Sequence, residues 1–473
     1  MTPPMKQLSL IELPSSPTHN GIHNGGQRHV ESGNRVEKET APYFHLHGDI
    51  PLDLEHDALI SLTRPAPPRI HSLGFQPAIS FPEFPRWFLR KYATPTFSIL
   101  EPFAGSGTTI IESLRHEIPV YWLDYHPLSR LICRVKTSEF SGYEVCQEAA
   151  KILRQAAAQS ATQTEIPTTI YFANKDFWFQ KPVQEGLEIL RGLITRTGPD
   201  IQPILWLAFA ASVRKTSDMN DGMILAAKRS HIQEIPKRSR TDVFKTFREY
   251  VDKAVEAMEE WGRMVNGVRN LARELPLQDA RTLDGCSEVD AIVTSPPYIN
   301  AIDYVWASKF ELHWLGLVTS DQERLQLYER EIGTERLSKG ETHQLGQTGM
   351  YHLDGLIREI YTGEKYKASK GQNVLRARVV YQYFVDMKQH FASSFKILKP
   401  SGYYCFTIGD SSRICGVDIP VAKLLTEFAC ETGFDKVFQF HLLLKNRKLN
   451  IPRNVDWAGV IKHDTTVVLR KPV

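Results

Sequence analysis

Paired cysteines are missing from this chain. Its six, Cys133, Cys146, Cys286, Cys405, Cys415 and Cys430, are scattered with no Cys-x-x-Cys and no paired histidine spacing, which argues against a disulfide framework or a metal centre and for a reduced cytoplasmic protein. No apolar run is suited to a signal peptide or a membrane span, so a soluble protein is expected. Charge of one sign is also scarce: 57 Lys and Arg against 54 Asp and Glu leave a net charge of +3. That balance permits a nucleic-acid partner without requiring one. The glycines fit neither the Gly-x-x-x-x-Gly-Lys of a phosphate loop nor the Gly-x-Gly-x-x-Gly of a dinucleotide site. His45, His47 and His56 have no neighbouring carboxylate or cysteine arranged to complete a recognisable metal site, so no metal is expected.

Two stretches carry chemistry. The first, Phe97 to Thr109, reads as a strand, a glycine turn and a helix start; Gly105 and Gly107 permit positive φ and let a ligand approach the backbone N–H groups. A second strand, Val120 to Leu123, ends at Asp124, a carboxylate placed to take the hydroxyls of a ribose. Together they describe a nucleoside cofactor site without a pyrophosphate. The second stretch, Thr294-Ser295-Pro296-Pro297-Tyr298, closes the apolar run Ala291, Ile292, Val293. Two prolines end the strand and leave a stiff turn offering a hydroxyl, bare carbonyls and an aromatic face. Ser295 and the Pro296 carbonyl suit the two hydrogens of a base's amino group, with Tyr298 stacked on the ring.

The pair of stretches resembles the DNA amino-methyltransferases, whose cofactor motif has the form Asp-Pro-Phe-x-Gly-Ser-Gly-Thr-Thr and whose catalytic motif is Ser/Asp/Asn-Pro-Pro-aromatic. Here Glu101-Pro102-Phe103-Ala104-Gly105 continues through Gly107, Thr108 and Thr109. Glu101 in place of Asp lengthens the carboxylate and is expected to keep its charge. The resemblance covers roughly residues 67–136 and 275 to the C-terminus. It implies a Rossmann-like α/β fold, mostly parallel with an antiparallel edge strand, and S-adenosylmethionine as cofactor, held also by Ser80, Phe81, Tyr125, Asp279 and Ala280. It implies double-stranded DNA with a flipped base as substrate and a restriction nuclease as possible companion. Ser at the first catalytic position points to cytosine N4 rather than adenine N6. An RNA amino-methyltransferase and a non-catalytic cofactor-sensing DNA-binding protein stay open as alternatives.

The remaining chain divides around these motifs. Residues 1–45 read as a flexible tail, 65–137 as the first part of the core, 138–274 as a helical insertion and candidate target-recognition region, 275–318 as the catalytic part, 319–375 as an inserted loop region and 376–473 as the last part of the core. Helical spacing marks Glu144 to Ala157, Pro182 to Leu193, Pro203 to Val213 and Thr241 to Met264. Lys228, Arg229, Lys237, Arg238 and Arg240 in the insertion, with Asn300, Arg447 and Arg453, are the candidate nucleic-acid contacts. Arg214, Lys215, Ser217 and Asn220 follow the apolar helix and are expected also to face nucleic acid.

Overall fold

The computed structural model describes residues 42–77, 79–220, 234–265, 267–276, 279–283, 285–299, 302–337, 345–368, 371–444 and 461–473. In chain order the first elements are β1 (Tyr43–His47), β2 (Leu59–Thr63), α1 (Glu83–Tyr92), β3 (Ile99–Glu101), α2 (Thr108–Arg115), β4 (Val120–Trp122) and α3 (Pro127–Thr137). The insertion supplies α4 (Gly142–Thr162), α5 (Lys175–Trp178), α6 (Lys181–Ile194), α7 (Gln202–Thr216) and α8 (Arg240–Met264). β5 (Ala272–Glu274) and β6 (Val289–Thr294) return to the sheet, and α9 (Tyr304–Ala307), α10 (Lys309–Trp314), α11 (Asp321–Gln326) and α12 (Tyr351–Thr362) follow. The chain closes with α13 (Gln372–Ile397), β7 (Leu398–Gly409), the hairpin β8 (Ser412–Ile414) and β9 (Val417–Ile419), α14 (Val421–Thr432), β10 (Asp435–Leu443) and β11 (His463–Arg470).

Among the described residues nine strands form one sheet in the order β1-β2-β10-β11-β7-β6-β3-β4-β5. β11 runs antiparallel to both its neighbours, and every other pairing is parallel. The antiparallel strand expected near the C-terminus is therefore present, and β10, β2 and β1 extend the sheet beyond it. β1 takes in Tyr43, Phe44 and His45, whose sequence groups them with the tail, because their backbone groups pair with Leu59, Ile60 and Ser61. His45 hydrogen-bonds Ser61 and Thr63.

Both faces of the sheet are covered. In β6, Ala291 and Val293 point into a core shared with α1, α2, α3 and the insertion helices, whereas Ile292 points into one shared with α12, α13 and α14. This is the period-2 alternation of a strand buried on both sides. Each of the four helical stretches expected in the insertion is a helix, and α8 begins with a Ser239/Asp242 capping box. The segment expected as a loop region, 319–375, contains α12; Leu353, Ile357 and Ile360 recur at helical spacing and are buried, a pattern hidden among charged neighbours.

The glycine turn is braced from behind by Glu112 of α2, whose carboxylate is fully buried. Arg86 of α1 binds it through Nε at 2.8 Å and Nη2 at 3.1 Å, Arg115 adds a contact at 3.1 Å, and His71 Nε2 lies 3.0 Å away. Burial opposes ionisation, but these partners outweigh it and hold the carboxyl down at about 2. His71 itself is pushed below its ordinary value by burial, so it is a neutral N–H donor. Removing the acid would leave half-buried Arg86 with only Asp49 as a carboxylate partner and His71 buried without its acceptor, and Glu112→Ala is expected to cost about 3 kcal/mol. Chemical denaturation measures this, and a loss under about 1 kcal/mol, the scale of an exposed pair, would show that the network does not brace α2.

Candidate functional site

β3, β4 and β6 are parallel neighbours, so their carboxyl ends open on one edge of the sheet. Glu101 closes β3, Asp124 follows β4, and Ser295 follows β6. This edge, where strand order reverses around β3, is where α/β sheets take ligands. Gly105 has φ +50° and Gly107 φ +82°, the left-handed conformations the turn requires. A Cβ on Gly105 would meet only the Phe103 carbonyl oxygen, at 3.7 Å, so the turn's outer face is open. Beneath the turn, buried Lys136 donates from Nζ to the Ser106 carbonyl at 2.7 Å, and burial lowers its amine to about 8.

Asp124 is buried and its carboxylate is held on both sides: Gly105 N–H donates to Oδ2 at 2.8 Å and His126 N–H to Oδ1 at 2.7 Å. Burial still lifts the carboxyl to about 6. Glu101 is also buried, and its Oε1 accepts from Phe103 N–H at 2.9 Å and from the Thr294 hydroxyl. The expectation that its charge is simply kept needs correction, because desolvation pushes the carboxyl up to about 7. The Ser80 carbonyl accepts from Thr108 Oγ1 at 3.4 Å, which lays the segment before α1 across the start of α2; the Ser80 hydroxyl oxygen is buried with no protein partner among the described residues. Phe81 is buried beside Phe84.

The proline turn is fixed by partners remote in sequence. The Ser295 hydroxyl donates to the Thr407 carbonyl at 3.3 Å, Tyr383 donates to the Pro297 carbonyl at 3.1 Å, and the Tyr298 hydroxyl donates to Asp464 Oδ1 at 2.8 Å. Pro296 is buried, whereas Ser295, Pro297 and Tyr298 keep part of their surface.

Other expected positions have different surroundings from those anticipated. Asp279 is gripped by Arg281, whose Nε and Nη2 donate to its two oxygens at 2.9 and 2.7 Å. The Ala280 carbonyl meets His390 Nδ1 at 2.6 Å. Arg240 does not face outward: it donates to Glu185 at 2.8 Å and to the carbonyls of Ser160, Gln163 and Thr164, closing the end of α4 onto α8. Arg238 pairs with Asp218 at 3.6 Å and donates to the Ser217 carbonyl. Arg214 lies 3.4 Å above the Phe75 ring and donates to Glu311 at 2.8 Å, so it joins the insertion to the core instead of facing a partner. These guanidiniums serve unpaired helix-end carbonyls and buried carboxylates, which a charge run alone does not reveal. Lys237 is exposed. Lys228, Arg229, Asn300, Arg447 and Arg453 lie outside the described residues.

Glu331 carried no sequence signal. It is buried, accepts the Tyr125 hydroxyl at 3.0 Å and the Tyr304 N–H at 3.1 Å, and so bridges the residue after Asp124 to the helix after the proline turn. A lone glutamate in a charged segment looks like any other until its partners are known.

A parallel sheet with a glycine turn, an acidic residue at the next strand end and a proline turn on one edge is the Rossmann-like methyltransferase arrangement. Proteins similar to the chain are named as methyltransferases. Type II methyltransferase M.MvaI of Kocuria varians is 22% identical over 408 residues, 81% of this chain and 87% of that protein. Type II methyltransferase M.BsoBI of Geobacillus stearothermophilus is 24% identical over 420 residues, 80% and 79% of the two chains. Type II methyltransferase M.AvaI of Nostoc sp. reaches 31% identity over 150 residues, 31% of each chain. No family model matches the chain.

Burial pushes the Glu331 carboxyl up to about 8 from 4.5, with Asp303 adding repulsion. An acid raised in the folded state favours folding only while protonated, so Glu331's own contribution to stability is fully present below pH 4.5 and is lost as pH rises through about 8. Glu331→Gln keeps an acceptor for Tyr125 and is expected to shallow that decline. Denaturation midpoints between those limits check it, and a slope equal to wild type would clear Glu331 of the effect.

Proposed function

We propose that this chain is an S-adenosylmethionine-dependent DNA methyltransferase acting on the exocyclic amine of a flipped base, with cytosine N4 as the preferred target. The observation that carries the reading is the shared sheet edge of the Gly105 turn, Asp124 and the Ser295–Tyr298 turn. The residues fit the cofactor: the turn's outer face is open at Gly105, Asp124 is oriented by two N–H donors, and a buried Ser80 hydroxyl waits beside the start of α2. Pro102 to Thr109 would form the turn around it, Tyr125 and Phe81 its walls, and Asp279 with Ala280 its base end. When bound, S-adenosylmethionine supplies an electrophilic methyl on a sulfonium.

The chain's part is to make the amine a nucleophile. An aromatic amine's lone pair is spread into its ring, and holding its hydrogens out of plane restores the lone pair. Ser295 has one hydroxyl proton, and giving it to the Thr407 carbonyl leaves the oxygen's lone pairs for an amine hydrogen. The Pro296 carbonyl is the second acceptor. Tyr298, anchored by Asp464, presents a fixed ring for the base to stack on. With the cofactor bound, the nitrogen's pair would be placed to take the methyl from the sulfonium, the carbon–sulfur pair would go to the departing sulfur, and the extra amine proton would leave to water.

Target reading belongs in this proposal to the helical insertion, where Lys237 is an exposed cation, and the name Type II fits a companion restriction nuclease.

Incubating the full chain with radiolabelled S-adenosylmethionine and DNA, then separating the nucleosides, tests the proposal. N4-methylcytosine is expected; N6-methyladenine would correct the base, and no incorporation into DNA would refute the activity. Ser295→Ala is expected to slow transfer by about 10²-fold with cofactor affinity kept. Gly107→Asp should abolish cofactor binding, since its Cβ would already stand 3.3 Å from Cys133 Sγ at a positive φ; unchanged calorimetric affinity in a folded variant would contradict the cofactor site.

A further inference from the structure

Three titratable side chains meet beside the proline turn on neighbouring strands: His441 on β10, His463 on β11 and Asp410 just past β7. One ligand atom of each lies within 4.8 Å of the other two, and all three residues are only partly exposed. Asp410 Oδ2 stands 3.2 Å from His463 Nε2. Thr465 donates its hydroxyl to Asp410 Oδ1 at 2.9 Å and lies 2.9 Å from His441 Nδ1. His441 Nε2 faces Asp57 Oδ1 at 3.9 Å. The strands fix the spacing: Leu443 is paired with His463, and Asp410 N–H donates to the His463 carbonyl at 3.0 Å.

We propose that Asp410, His441 and His463 form a binding site for a divalent transition-metal ion of the zinc class. Two imidazoles and a carboxylate suit such an ion, whereas calcium or magnesium would call for oxygen donors. Donors about 2.1 Å from a tetrahedral zinc stand about 3.4 Å apart. The trio, whose donor atoms lie within 4.8 Å of one another, therefore needs to close by up to about 1.4 Å, by rotation of the side chains onto the ion. The ion would replace the proton shared by Asp410 and His463. Asp57 is placed as the outer carboxylate that receives the second N–H of a metal-bound imidazole, and Thr465 orients Asp410. Three protein ligands leave the remaining positions to water.

The site borders the catalytic turn. Asp464, which receives the Tyr298 hydroxyl, follows His463 directly, and a Cβ on Gly409, the residue before Asp410, would come within 3.2 Å of the Tyr298 ring.

The test uses the full chain freed of metal with a chelator. Calorimetric titration with zinc is expected to show one saturable site, and cobalt(II) substitution should give the visible bands of a low-coordinate complex. His441→Ala and His463→Ala should each weaken zinc at least tenfold, and the double variant should lose both the site and the cobalt bands. His463→Gln, a milder change, should weaken zinc similarly while retaining the wild-type melting temperature in chelator. Absence of saturable binding in the wild type overturns the proposal. So does zinc binding by the folded double variant at wild-type affinity, which would place the ion on other histidines. Neither outcome bears on methyl transfer, so this inference and the proposed activity fail independently.

Discussion

The buried Glu101 carboxylate ties together the parts that must act together. One of its oxygens accepts from Phe103 at the glycine turn and from Thr294, the last residue of β6. Thr109 of α2 bonds the same carboxylate. The glycine turn, the helix behind it and the proline turn therefore share one acceptor, and displacement of any of them opens a bond in a dry interior, where an unmet polar group costs about 1–3 kcal/mol. Burial raises the acid to about 7 in spite of these donors. Near neutral pH the junction thus retains a proton part of the time, with Asp124 adding to the repulsion that favours it.

Around that junction the bracing is arranged in layers. Glu112 holds α2 to α1 through Arg86, and Lys136 holds the turn to α3 through the Ser106 carbonyl. Trp261 of α8 then donates to the Lys136 carbonyl at 3.0 Å, so the helical insertion is locked to the back of the glycine turn. The insertion's helices share one apolar core with the sheet face behind them. Its inner side is consequently scaffold, and any surface for reading a target must lie on its outer side.

Local chemistry was legible in the sequence, and pairing at a distance was not. Glycines that need positive φ, prolines that end a strand and helices with regular apolar spacing all announce themselves within a dozen residues. The glycine and proline turns and the four insertion helices came from such signals, and the mixed sheet from the family resemblance that the two turns carry. Arg238 and Arg240 misled because a basic run looks the same whether its donors face water or helix-end carbonyls. Asp279 gave no sign of Arg281 as its partner, although the two are adjacent but one. Glu331 and the Asp410, His441 and His463 trio draw their meaning from strands and turns far apart in the chain.

The proline turn shows the same division within five residues. Its sequence dictates a stiff end to β6, but not where the hydroxyl, carbonyls and ring point. That is set by Thr407 on β7, Tyr383 on α13 and Asp464 on β11, which hold Ser295, Pro297 and Tyr298 in turn. β11 is the last strand made and inserts antiparallel between β10 and β7. The ring of Tyr298 is therefore anchored by the C-terminal strand, and a short motif gains a defined ring position through the closure of the whole sheet.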